Sequence, residues 1–286
     1  MLYTIQNEQL CVTVSRYGAE LQSIRTAAGD ELLWQGDAQY WDRRSPILFP
    51  YIGRMIGKMH RCNGKDYPMD IHGFAPYQDW TVTAQDSNAI TFSLSDNAQT
   101  LCAYPWHFSC QVCYRLTGNR LDVTFSLENC DDATIPYAIG GHPGFRIPDL
   151  ENWHLRFHQA CSPERIVFTA DCFVDDHTIP FPLVNGTELP LRHDLFDHDA
   201  IVLANAAKAV SLERNDSSRR ITVRYPDMTY IGFWHTPKTQ APFLCIEPWS
   251  SLPSPKGERT VLSEQSDLLQ LSPGGHYENT WSIEVE

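Results

Sequence analysis

The sequence predicts an all-β protein, a large antiparallel sandwich or barrel with few short helices. Three observations carry this expectation. Apolar residues recur with the two-residue period of a half-buried strand in many short runs. Nineteen prolines and sixteen glycines are spread along the chain and do not gather into a linker. Only the stretch Val261 to Leu271 reads as a helical turn or two, and no other segment sustains a helical period.

Taken in order, Leu10-Val12-Val14 and Ile90-Phe92-Leu94 alternate as strands. The clearest element follows. Phe108, Cys110, Val112, Tyr114 and Leu116 alternate, Thr117-Gly118-Asn119 supplies a turn, and Leu121, Val123, Phe125 and Leu127 alternate again. Two such runs around a short Gly-containing turn predict a β-hairpin. Ile221-Val223-Tyr225 repeats the pattern, and the acidic runs at Asp175-Asp176 and Asp194 to Asp199 read as solvated loops. The 286 residues fit one domain spanning 1–286, with a boundary near 185–190 as the alternative.

Composition limits the function classes. Twenty-two basic against thirty-five acidic residues give a net charge of −13, which argues against nucleic acid and anionic membrane as partners. A 42% hydrophobic, 20% charged chain is too apolar for disorder. No apolar run reaches the ~18 residues of a membrane-spanning helix. MLYTIQNEQL carries polar residues where a signal peptide needs an apolar core. Nine cysteines, with Cys110 and Cys113 as the lone CxxC pair, read as reduced thiols, mostly in the core, of a cytoplasmic protein.

Five segments carry more chemistry than plain strands need. An apolar run, Ile47 to Ile52, delivers Gly53-Arg54; the guanidinium suits sugar hydroxyls, carboxylates or phosphates, and the plainer alternative is a structural ion pair. His72 sits beside Gly73 among apolar residues, where another group can approach its ring; a core histidine satisfied by backbone is the alternative. Gly140-Gly141-His142-Pro143-Gly144 is tailored backbone, read as a shaped turn that aims an imidazole rather than as a central strand. Phe243 to Trp249 places Glu247 on an apolar strand before Pro248 and near Trp249, so the carboxylate needs partners or a raised pKa, as a general base does. A buried ion pair with Arg54 is the competing reading. Asp197-His198-Asp199 with His193 resembles a metal-ligand run, but neighbouring residues of a strand point apart, so a loop with one functional Asp is favoured over a metal site. GxGxxG, GxxxxGK[ST], HExxH and GxSxG are all absent, which leaves nucleotide cofactors and serine-hydrolase chemistry unsupported. What remains suits proton transfer on a polyhydroxylated ligand, with Trp34, Trp80, Trp234 and Trp249 as candidate stacking faces or as ordinary core.

The order Gly53-Arg54, His72-Gly73-Phe74, Gly141-His142-Pro143, Asp199, Glu247-Pro248-Trp249 resembles the aldose 1-epimerase (galactose mutarotase) superfamily, nearest its LacX-like branch. The resemblance implies a β-supersandwich, no metal or organic cofactor, a monosaccharide substrate, and a monomer or homodimer. It implies that Glu247 is the general base on the C1 hydroxyl and His142 the acid on the ring oxygen. By the same resemblance His72 and Arg54 hold sugar oxygens and Asp199 grips ring hydroxyls, with Trp249 beside them. Asp197 is an alternative to Asp199. Two departures bear on the sugar: Gly141 stands where galactose mutarotases carry Asn, and Gly57-Lys58 where they carry Asn-Arg, so either Arg54 or Lys58 meets the substrate. A hexose-6-phosphate mutarotase using Arg54, Lys58 and Arg61, and a non-catalytic sugar-binding protein, are the alternative readings. Mutual proximity of His142 and Glu247 favours a protonated imidazole beside an ionised carboxylate.

Overall fold

The computed structural model describes residues 1–286. Two large sheets dominate, and every pairing between strands is antiparallel. The first has nine strands, in the order Glu188–Pro190, Trp153–Phe157, Ala209–Arg214, Arg220–Arg224, His276–Val285, Arg120–Asn129, Phe108–Thr117, Ala89–Ser95, Thr81–Gln85. The second runs Val174–Pro180, Glu164–Phe168, Ile201–Ala204, Tyr230–Trp234, Phe243–Trp249, Gly140–Gly141, Ile47–Leu48, with Gly144–Arg146 also paired to Phe243–Trp249. A three-stranded sheet of Leu2–Gln6, Leu10–Ser15 and Leu21–Thr26 packs alongside, Tyr3 meeting Phe92 edge-on. The all-β expectation is met.

The expected hairpin forms in the expected register. Phe108–Thr117 pairs with Arg120–Asn129 around Gly118-Asn119, and the alternating residues Phe108, Cys110, Val112, Tyr114 and Leu116 are buried. The 261–271 stretch holds only a 3-10 turn at Leu262–Glu264 before a short strand at Leu269–Leu271. Residues 188–190 pair with the Trp153–Phe157 strand, so the segment near the alternative boundary is integral to the nine-stranded sheet.

Three local expectations need correction. Asp175 and Asp176 lie within the Val174–Pro180 strand, not in a loop, and share the single cation of Lys256. Among the nine free cysteines only Cys62, Cys110 and Cys245 are buried, because positions such as Cys11 and Cys113 fall on the outward phase of their strands. Gly140-Gly141 is central strand after all: Gly140 pairs with Leu48 on one side and Trp249 on the other. What the missing side chain secures is close approach, since a Cβ on Gly141 would lie 2.4 Å from the Trp281 ring.

The main core fills the space between the two large sheets, with Phe157 of one meeting Phe233 of the other edge-on. Strand alternation therefore divides Phe243–Trp249 in two. Leu244 and Ile246 enter the main core. Phe243, Cys245 and Glu247 share the opposite face, and Trp249 touches both the cavity and the main core. There a smaller aromatic layer of Trp34, Phe243 and Cys245 forms, flanked by Tyr40, Trp41 and Trp234. That second face carries the site.

Candidate active site

A cavity of about 440 Å³ opens on this outer face. Glu247, on the fifth residue of its strand, forms part of the floor and is 1% exposed. Its cross-strand neighbour is Gly232, whose lack of a side chain keeps the floor open: a Cβ there would lie 3.3 Å from the Glu247 Cβ.

His142 stands where strand pairing breaks between Gly140–Gly141 and Gly144–Arg146. The break is pinned on both sides. Ile246 N–H donates to the Pro143 carbonyl at 3.1 Å, and Gly144 N–H donates to the Arg44 carbonyl at 2.9 Å. The imidazole is held by aromatic rings, with Trp41 stacked on it at 4.9 Å between centroids and Trp234 edge-on at 5.9 Å. His142 Nε2 lies 3.2 Å from Glu247 Oε2. The contact lacks hydrogen-bond alignment. Glu247 Oε2, His142 Nδ1 and the indole nitrogen of Trp249 are all buried without a hydrogen-bond partner in the protein. Three such orphans in one place are costly to fold and mark a functional site.

His72 reaches the cavity from a strained turn. Its φ is 65°, and Gly73 follows at 79°, where a Cβ would collide with the Phe49 carbonyl oxygen at 2.2 Å. Gly53 N–H donates to His72 Nδ1 at 3.1 Å, which leaves the ring proton on Nε2. His72 meets His142 edge-on at 5.4 Å.

Asp199 also lines the cavity at a positive φ of 75°; Asp197 instead ends the short helix His193–Phe196 and does not line it. Arg54 Nη1 donates to Asp199 Oδ2 at 3.3 Å, so Arg54 pairs with Asp199 rather than with Glu247. Lys58 is exposed outside the cavity, and Arg61 is bound to Asp66. The basic set imagined for a sugar phosphate is therefore not assembled. The acid-histidine run does not converge either, because His193 turns to His235 at 3.2 Å. Of the four tryptophans singled out, Trp234 and Trp249 line the cavity, whereas Trp34 and Trp80 are packing residues.

Trp41, Arg43 and Cys172 are among the lining residues that the sequence reading missed. Trp41 and Arg43 come from the loop that follows Gly36, and the dense aromatic and charged run Tyr40 to Arg44 is the signal that could have flagged them. Arg43 lies over Tyr77 at 5.2 Å and 3.5 Å from Glu20 Oε2. Cys172, at φ 63°, donates its thiol to Asp199 Oδ2 at 2.9 Å. Burial and that carboxylate push this thiol up to about 11, so it stays a donor. No sequence signal marks it. Non-glycine residues in the left-handed region thus collect here, at His72, Cys172 and Asp199, as backbone strain does at functional sites.

Burial works against the expected ion pair. Burial pushes the Glu247 carboxyl well above the usual carboxylate range, and the charge of Asp199 adds to this. Burial pushes His142 well below the usual imidazole range, with His72 and Arg43 adding to it. Arg54, the cation expected near Glu247, is committed to Asp199. Both shifts favour the uncharged forms, a protonated carboxyl and a neutral imidazole. His72 is lowered to about 4, first by burial and then by Arg54.

Comparison with known proteins agrees with this architecture. Residues 1–263 match the family model described as aldose 1-epimerase. The chain is 31% identical to the chromosomal LacX protein of Lactococcus lactis subsp. lactis, with 100% of this chain and 99% of that protein covered. A galactose mutarotase-like protein from Lactobacillus casei superposes with a TM-score of 0.95 at 31% identity, covering 100% of both chains. A galactose mutarotase related enzyme from Lactobacillus acidophilus superposes with a TM-score of 0.94 at 31% identity, covering 100% of this chain and 97% of that one. No helix here is long and apolar enough to cross a membrane. The full-length match and the galactose mutarotase-like fold together make this chain a member of the aldose 1-epimerase family.

Proposed function

We propose that this protein interconverts the α and β anomers of a neutral aldose by opening and reclosing the ring. The observation that carries this reading is the His142–Glu247 pair: two buried groups, 3.2 Å apart, with unpartnered atoms on the floor of a tryptophan-walled cavity. The pair carries a single proton between them. Moving it from the carboxyl to the imidazole creates a base and an acid together, with no net change in buried charge. Glu247 then takes the proton of the C1 hydroxyl while His142 protonates the ring oxygen. The bond from C1 to the ring oxygen breaks, and an open aldehyde forms. Rotation about C1–C2 presents the other carbonyl face, and reversed transfers close the ring. Positioned acid and base each contribute about 10²–10⁴-fold.

The neighbours serve recognition. Neutral His72, its Nδ1 occupied by Gly53, offers an Nε2–H donor to a sugar oxygen. Asp199, held by Arg54 and Cys172, accepts from hydroxyls. Trp249 presents an apolar face for sugar C–H groups. A neutral sugar is favoured over a phosphate because both cations lining the cavity are already paired, Arg54 with Asp199 and Arg43 with Glu20.

Anomer-exchange NMR with a panel of aldoses and their 6-phosphates tests the reading. Exchange of at least one free aldose, faster than of its 6-phosphate, supports it. Preference for the phosphate makes the protein a phosphosugar mutarotase, and sugar binding without exchange makes it a binding protein.

A further inference from the structure

Cys245 lies two residues before Glu247 on the same strand face and is fully buried beside the Gly144 backbone, where a Cβ would lie 3.4 Å from its sulfur. Ligand atoms of His142, Cys245 and Glu247 all fall within 4.8 Å of one another. We propose that these three residues form a zinc site at the cavity floor, whose occupation reversibly blocks the His142–Glu247 pair.

Two of the three donors stand at tetrahedral spacing. Two ligands bound to a tetrahedral zinc at about 2.0–2.1 Å stand roughly 3.3 Å apart, and His142 Nε2 is 3.2 Å from Glu247 Oε2. The Oε2 atom has no hydrogen-bond partner to lose. One sulfur, one nitrogen and one oxygen donor select zinc over magnesium or calcium, which take oxygen ligands. The charges also balance: a thiolate, a carboxylate and a neutral imidazole cancel a dication, so the filled site is neutral in a buried setting. Three protein ligands leave a fourth position toward the cavity for water. The other cluster of suitable residues, Asp175, Asp176 and His177, differs in kind: it is largely exposed and its carboxylates are held by Lys256. Metal binding stands independently of the proposed reaction; inhibition rests on it, because the metal takes the lone pairs that exchange requires.

The test starts from metal-free full-length protein. Zinc is titrated against a chromophoric chelator, and cobalt(II) is added in parallel to read a thiolate-to-cobalt charge-transfer band. The expected result is about one zinc per chain, a thiolate band, and exchange that falls as zinc loads and returns with EDTA. Cys245→Ala should lose the band and bind zinc about 100-fold more weakly, and the exchange rate it shows without metal should not fall when zinc is added. Cys110→Ala, which removes a buried thiol of the main core, should bind as wild type does. Cys245→Ser serves if the alanine variant does not fold. Absence of the cobalt band from the wild type, or equal zinc affinity of wild type and Cys245 variants, overturns the site. A cobalt band that depends on Cys245, in a protein that exchanges no aldose, upholds the site and overturns the reaction alone.

Discussion

His142 Nε2 and Glu247 Oε2 face one another at 3.2 Å, delivered by two adjacent antiparallel segments and buried together. The imidazole is gripped by Trp41 and Trp234, and the carboxylate is given room by Gly232. The proposed chemistry needs both groups and one proton between them, and the first two predictions follow from that.

Glu247→Gln keeps the shape of the side chain and removes the base. Anomer exchange should fall by about 10²–10⁴-fold while sugar affinity, read by calorimetry, stays within a few-fold of wild type. Undiminished exchange in this variant would place the base elsewhere.

The pH profile should be a broad bell. A second proton on the pair creates a buried cation, which burial resists, so the acid limb lies below the ordinary imidazole value of 6.5. Loss of the only proton creates a buried anion, so the alkaline limb lies well above the ordinary carboxylate value of 4.5. His72, lowered to about 4, stays neutral across the plateau. A rate that halves near pH 6.5 in a pH-rate series would identify an ordinary exposed imidazole instead.

Asp199→Asn, which tolerates the left-handed φ of 75° at this position, should separate recognition from stability. Its pair with Arg54 is half-exposed, with side chains 31% and 47% accessible, so losing it costs folding less than about 1 kcal/mol. KM for the sugar should rise about tenfold, equivalent to about 1.4 kcal/mol. Thermal melting and steady-state kinetics on one preparation distinguish the two effects.

Two glycine substitutions should fail for different reasons. Gly141→Ala drives a methyl to 2.4 Å from the Trp281 ring and should destabilise the fold by about 1–3 kcal/mol in denaturant titration. Gly232→Ala sets a methyl 3.3 Å from the Glu247 Cβ and 3.6 Å from the Trp249 ring. It should fold nearly as wild type yet lose about tenfold or more of its exchange rate, because a small displacement of a reacting group is costly.

Much of this molecule was legible residue by residue. Alternation marked the hairpin, since a half-buried strand imposes a period of two wherever it lies. Glycines beside His72 and His142, and a lone carboxylate on the apolar 243–249 strand, marked the site, since strained backbone and a buried charge both leave local traces in composition. Partners left no such trace. That Arg54 turns to Asp199, that Trp41 stacks on His142, and that Arg43 and Cys172 join the cavity depends on segments that meet only when the sheets assemble. Protonation was likewise decided in three dimensions: it follows from how deeply a group is buried and which charge reaches it first, and neither depth nor distance is a property of a residue's neighbours along the chain.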